Sequence, residues 1–192
     1  GEVGEDNIRP YIIMERLVGG PLSLHISKEE LSEEAIISYA KKLAKTLGKV
    51  HKFGIVHCDI KPQNIILDAF NNPKLIDFGL AEAKQTDKEL SKDKLFGTFL
   101  YSPPEQTGMT NRPVDGRSDL YSLGCTLFEC LTKKPPFYSQ DAGELIRHHL
   151  ITPPEDPSTL NPKVSKALSR IILKLLAKDP EDIVLNDTNR TF

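Results

Sequence analysis

Two short stretches of the 192-residue chain carry residue types that could do chemistry together. One is His57-Cys58-Asp59-Ile60-Lys61-Pro62-Gln63-Asn64, and the other is Asp77-Phe78-Gly79. A carboxylate, a nearby lysine, an asparagine and then a second carboxylate suit transfer of a phosphoryl group. That reaction asks little covalent work of a protein; it needs reactants held in line and negative charge neutralised. Asp59 can orient an attacking hydroxyl and accept its proton. Lys61 can reach the transferred phosphate as a point charge. Asn64 and Asp77 offer hard oxygens of the kind magnesium takes, since it binds few protein carboxylates and adds phosphate oxygens. Either motif alone commonly marks an ordinary solvated turn. Their weight here comes from order, short separation and structural context.

The elements around these motifs follow from periodicity. Ser32 with Glu33 and Glu34 reads as a helix start, and Ile36, Ala40, Leu43, Leu47 and Val50 then recur at helical spacing towards Gly54. The first motif therefore sits in the loop after an amphipathic helix. Ile65-Ile66-Leu67 and Lys74-Leu75-Ile76 flank Asn71-Asn72-Pro73, which predicts a hairpin delivering Asp77 at its end. Tyr11 to Val18 reads as a strand entering the turn Gly19-Gly20-Pro21, and the first ten residues hold no complete element. Residues 82–94 are polar without a period and read as a loop. From Asp119 to Leu131 the leucines share one face among further apolar residues, which predicts a largely buried helix stopped by Pro135-Pro136. A helix near Ala142, a proline-rich connector over 153–162, and a last helix carrying Val164, Leu168, Ile171 and Leu175 up to Pro180 complete the pass.

With the motifs in these contexts, residues 10–182 resemble the eukaryotic-type serine/threonine protein kinases. Further motifs carry the resemblance: Gly97-Thr98, then Pro103-Pro104-Glu105 in place of Ala-Pro-Glu, then Ser118-Asp119-Leu120-Tyr121-Ser122-Leu123-Gly124. The resemblance implies an α+β kinase-like fold, mainly helical in its C-lobe with a few short strands, and with the N-lobe largely missing. It divides the chain into a remnant of N-lobe strand and hinge (1–20), a C-lobe (21–182) and a divergent tail (183–192). It implies ATP and Mg2+ as cofactors and a protein bearing a Ser or Thr acceptor as partner. Asp59, Lys61 and Thr98 would be catalytic, with Thr98 bonded to the other two. Asn64 and Asp77 would hold the metal. Nucleotide would meet Met14 as gatekeeper, the backbone of Glu15 and Leu17, Lys61, Asn64, Asp77, and Ile66 beneath the base. Plain core packing is the other reading of Met14 and Ile66.

Asp119 would hold the catalytic-loop backbone, and His57 would pack beneath Phe78. Residues 105–115 are similar to the kinase domains of large bacterial hybrid kinases, so further signalling domains are an expectation.

The pattern also departs from the family. Cys58 stands where an Arg usually precedes the catalytic Asp, so phosphorylation at Thr86 or Ser91 would lack that cation to order the loop. Gln63 replaces a Glu common in kinases that prefer Arg near the acceptor. Ile183 stands where the family has an Arg that pairs with Glu105, so a buried Glu105 would lack a partner unless Arg190 reaches it. His148 and His149 read as solvated helix residues.

A truncated, non-catalytic binding module is the alternative function, and the intact Asp59, Asn64 and Asp77 argue against it. Thr98 and Pro103-Pro104-Glu105 disfavour a small-molecule phosphotransferase. The net charge of -2 gives no reason to expect nucleic acid or a membrane surface as partner, and no apolar run predicts membrane insertion. Cys58, Cys125 and Cys130, odd in number and widely spaced, fit a reducing cytoplasm.

Overall fold

The structure is a computed structural model, and it describes residues 2–6, 9–13, 15–28, 31–78 and 99–183, with backbone alone for 2–12. Met14, Gly79, Thr86, Ser91, Gly97, Thr98 and Arg190 lie outside the described residues, as do the loop at 82–94 and the tail from 184.

The front of the chain is more ordered than periodicity suggested. Strand β1 (Glu2–Asp6) pairs antiparallel with β2 (Arg9–Ile13), with Val3 opposite Ile12. A pair of strands thus stands where no complete element was expected, and residues 15–18 run on outside any strand. This strip crosses to the next sheet by main-chain bonds: Gly19 N donates to Leu67 O at 3.0 Å, and Leu67 N donates to Gly20 O at 2.9 Å. Gly19 is required there, because a Cβ would stand 2.5 Å from the Leu67 carbonyl oxygen.

Helix α1 (Leu22–Lys28) follows, a short element that periodicity missed because only Leu22 and Ile26 are buried. Inside it the Ser27 hydroxyl donates back to Leu24 O at 3.0 Å. Ser32 does cap helix α2 (Glu33–His51), accepting from Ala35 N at 3.2 Å, with Glu33 and Glu34 at the positive end of the helix dipole. Its buried stripe is Ile36, Tyr39, Leu43 and Leu47.

The predicted hairpin forms as β3 (Ile65–Leu67) and β4 (Pro73–Leu75), with Ile65 opposite Leu75. Asp68 closes its turn by accepting from Phe70 N and Asn72 N.

Helix α3 (Gly116–Thr132) is the centre of the core, packed against α2 and the later helices. It begins at a capping box in which Asp115 and Ser118 bond each other's backbone, and it ends before Lys133, which takes a left-handed conformation at φ 62°. Beyond it come α4 (Ala142–Ile151), the short α5 (Pro157–Leu160), α6 (Lys166–Leu175) and α7 (Pro180–Ile183). The proline-rich connector therefore holds a helical turn of its own. Val164 precedes α6, which Ser165 caps. Pro180 opens a helix rather than only closing one, because the first helical position tolerates a missing N–H.

The buried core joins α1, α2, β3, α3 and α6 through residues such as Leu22, Leu43, Ile60, Tyr121, Leu127, Phe128 and Ile172. Among the described residues no helix is long and apolar enough to cross a membrane.

Candidate active site

Of the catalytic candidates, Asp59 and Lys61 lie with Asn64 in one loop between α2 and β3, and their closeness follows from their spacing. Lys61 is extended, then Pro62–Asn64 makes a single 3-10 turn that folds Asn64 back under Asp59. Asn64 Nδ2 donates to Asp59 O at 2.9 Å and to Asp59 Oδ2 at 3.0 Å. Lys61 Nζ lies 2.9 Å from the same Asp59 Oδ2. Asp59 and Asn64 are each 7% exposed, so the carboxylate is nearly withdrawn from water while a cation and an amide face it. With Nδ2 committed to Asp59, the Asn64 amide keeps Oδ1 as its acceptor.

The loop is held from behind by α3. Asp119, with a fully buried side chain, accepts from His57 N and Cys58 N at 2.9 Å each and from His51 Nε2 at 2.7 Å. The expected role of Asp119 is thus borne out, and it explains how Cys58 is kept at φ 63°, an uncommon conformation for a residue with a side chain. His57 meets Phe78 edge-on at 4.7 Å between ring centroids, and its Nε2 bonds Ile76 O at 2.8 Å. That contact joins the loop to the strand end carrying Asp77.

Ile76 N donates to Asn64 O at 3.0 Å, which brings the backbones of the two predicted metal ligands side by side. Asp77 itself is exposed and left-handed at φ 63°. Among the described residues no three His, Cys, Asp or Glu form a protein-only metal cage. Asn64 Oδ1 and the Asp77 carboxylate are instead the sparse, hard oxygen set that suits magnesium completing its shell on phosphates.

The nucleotide candidates are less closely assembled. Glu15 is exposed, 3.6 Å from Lys74 Nζ, and Leu17 is half-buried. Both line a cavity of about 150 Å³ with Val18, Asp68, Ala69 and Phe70. Ile66 is half-buried in β3, bridged to Pro21, and does not line that cavity. A cavity of about 330 Å³ lies at the far end of α2, around Ser32 and Asn161, away from the loop chemistry.

Comparison with known proteins decides the family. The protein kinase domain matches residues 2–183. The chain belongs to the eukaryotic-type serine/threonine protein kinase family. It is 40% identical over 181 residues to the serine/threonine-protein kinase Pkn1 of Myxococcus xanthus, covering 91% of this chain and 25% of that protein. It is 35% identical over 175 residues to PknB of Mycobacterium leprae, covering 90% of this chain and 28% of that kinase. The DNA damage-responsive serine/threonine-protein kinase RqkA of Deinococcus radiodurans is 35% identical over 173 residues, 88% of this chain and 26% of its own. The chain thus spans about a quarter of the length of these curated relatives.

Two features of this kinase domain correct expectation. Glu105 is buried at 6% exposed, yet it has a partner: the Ser118 hydroxyl donates to it, while Arg112 lies near enough to feel its charge. Ser118 can do this because its oxygen accepts from Asp115 N and leaves its hydrogen for Glu105. His149 is 1% exposed rather than solvated. Burial, and then the Lys178 cation, pull its pKa down to about 3.

Sequence reading missed a second polar contact to the loop. Gln106 Nε2 donates to Cys58 O at 3.1 Å, and Gln63 bonds the Tyr101 side chain. Tyr101 in turn donates to Glu129 of α3 at 2.5 Å, and burial raises the pKa of both groups. No local pattern announces these bonds, since their partners lie 28 to 48 residues apart.

Proposed function

We propose that this domain transfers the γ-phosphoryl group of ATP to a Ser or Thr hydroxyl of a protein. The observation that carries the reading is the clasp on Asp59, a buried carboxylate facing both Lys61 Nζ and the Asn64 amide. In it Asp59 orients the acceptor hydroxyl and takes its proton, and Lys61 offsets charge between that carboxylate and the phosphate. Thr98 is the third residue of this catalytic set. Asn64 and Asp77 hold magnesium, which when bound neutralises charge on the phosphate oxygens. Met14, Glu15, Leu17 and Ile66 contact the nucleotide base.

Relatives named as serine/threonine-protein kinases support the reaction class. Phosphotransfer to a general protein acceptor is the test, run on the complete polypeptide beside Asp59→Asn and Asp77→Ala. Asp59→Asn should bind Mg-ATP in calorimetry yet lose about 10²- to 10⁴-fold in kcat, the range of a general base. Asp77→Ala should lose metal-dependent nucleotide binding. Full activity in Asp59→Asn would reject the assignment. A folded wild type that binds no nucleotide would favour the binding-module reading instead.

A further inference from the structure

The residue just before Asp59 is held at both of its main-chain polar atoms, from two different directions. Cys58 stands at φ 63°, a region that residues with a side chain seldom enter because Cβ crowds the carbonyl oxygen. Its N–H donates to Asp119 Oδ1 at 2.9 Å, and its carbonyl oxygen accepts from Gln106 Nε2 at 3.1 Å. That carbonyl belongs to the same flat peptide group as the Asp59 N–H. Whatever aims Cys58 O therefore also aims Asp59 N, which donates to His57 Nδ1 at 3.3 Å. Asp59 leaves this peptide with its carboxylate turned to Lys61 Nζ and the Asn64 amide.

Gln106 can act as a fixed arm because its own backbone is fixed. It lies in a 3-10 turn, Pro104–Thr107, preceded by Pro103 and closed by Gly108 in a left-handed conformation at φ 73°. Gln106 N donates to Pro103 O at 3.0 Å, and Thr107 Oγ1 donates to Pro104 O at 2.6 Å. Glu105, its buried neighbour, accepts from the Ser118 hydroxyl. Ser118 and Asp119 are consecutive residues of α3. Asp119 takes the Cys58 N–H directly, while Ser118 anchors the turn from which Gln106 reaches the Cys58 carbonyl. Two routes that start one residue apart on the same helix thus close on Cys58 from its two ends.

We propose that Gln106 is a positioning residue for Asp59: by holding the Cys58 carbonyl it keeps the Cys58–Asp59 peptide in the orientation that points the carboxylate at Lys61 and Asn64. This rests on the kinase reading. Gln106 supplies no group to the nucleotide or metal candidates, so its loss acts on the rate of transfer rather than on nucleotide binding.

The test uses the complete polypeptide with ATP and with myelin basic protein as acceptor. Gln106→Met keeps the length of the side chain and removes the donor. Gln106→Glu keeps the shape and sets a carboxylate, which cannot donate, against the carbonyl. Each should lower kcat about tenfold while the Kd for Mg-ATP in calorimetry stays within about twofold of wild type. Hydrogen exchange gives a readout that needs no activity: both variants should speed exchange over 57–60 about tenfold, and by more than anywhere in α3. An unchanged kcat in Gln106→Met, a matching loss of Mg-ATP affinity, or faster exchange spread evenly over the chain would overturn the inference. A wild type without phosphotransfer removes the kinase reading alone. Faster exchange confined to 57–60 would then still show Gln106 holding the Cys58–Asp59 peptide, and unchanged exchange there would refute it.

Discussion

His149 should make this domain sensitive to mild acid, and the size of the effect follows from its surroundings. Its ring is packed against Phe137 at 5.0 Å and Tyr121 at 5.8 Å between centroids, with Lys178 beneath it and His148 beside it. Burial among these groups disfavours the charged ring first, the Lys178 and His148 charges add to it, and the Leu100 carbonyl only partly offsets them. The folded pKa of about 3 lies below the unfolded value near 6.5. Between those values the unfolded chain binds a proton that the folded chain does not. Stability from this group is therefore complete above the unfolded value and falls as pH drops through the window, levelling off near the folded one. At pH 5 the loss is about 1.5 pH units of linkage, or roughly 2 kcal/mol. His149 is neutral in the folded chain at pH 5, because its pKa of about 3 lies well below that pH.

The comparison that isolates it is wild type against His149→Gln, unfolded in urea at pH 7.5, 6 and 5 and followed by circular dichroism. Every other titrating group is common to both proteins, so the difference between their curves belongs to position 149. The variant should start less stable at pH 7.5, because glutamine fills the site poorly, and the gap should close by about 2 kcal/mol at pH 5. In thermal scans the same closing is about 4–8 °C for a domain of this size. Curves that run parallel from pH 7.5 to 5 would refute the assignment of a buried, neutral His149.

Asp119→Asn should damage the loop more than its size suggests. One amide oxygen cannot replace two carboxylate oxygens that each accept a backbone N–H, so stability should fall by about 2–3 kcal/mol in urea and phosphotransfer with it. Gly19→Ala should be as severe, because the new Cβ would press on main-chain atoms of Leu67 and Asp68, which cannot rotate away; lost two-way bonding to β3 should appear as faster exchange at Leu67 N.

Residue patterns made legible whatever is local, and the family resemblance added two distant contacts, Asp119 on the loop backbone and His57 on Phe78. Asp59, Lys61 and Asn64 converge because they sit within six residues and one 3-10 turn, and Ser32 caps α2 because the cap acts three residues away. The hairpin before Asp77 is a two-strand turn with its own Asx closure. Failures came where the deciding contact is distant or the pattern short. Helix α1 has two buried positions, too few for a period. Adjacent His148 and His149 look alike in sequence, yet a helix turns them onto different faces; Leu145, one turn before His149 and fully buried, was the available signal. Lys178 stands in a charged string, Lys178 to Asp182, which reads as solvent-facing until Tyr121 and two carbonyls are seen to take its donors. Ser118 and Glu105 are thirteen residues apart with no period between them, so the hydroxyl that rescues the carboxylate was invisible.

These long-range contacts share an origin. Asp119 holds the loop of Asp59, Ser118 holds Glu105, Tyr121 joins Lys178 to His149, and Glu129 accepts from Tyr101. All four belong to α3, a helix whose leucines promised hydrophobic packing and of whose polar contacts only that of Asp119 was expected. Burying a polar group is costly unless it is bonded, so each of these side chains stays in the core only while its partner is in place. The catalytic loop, the segment at 99–107 and α4 are therefore held by one rigid body rather than by each other alone. The packing that fixes α3 itself is close: a Cβ on Gly124 would meet Leu175 Cβ of α6 at 2.8 Å. A shift of α3 by a few tenths of an ångström at that contact would reach Asp119 on the same helix and, through two backbone N–H groups, the carboxylate of Asp59. Geometry at the reacting centre is in this way set by helix packing more than sixty residues away in sequence.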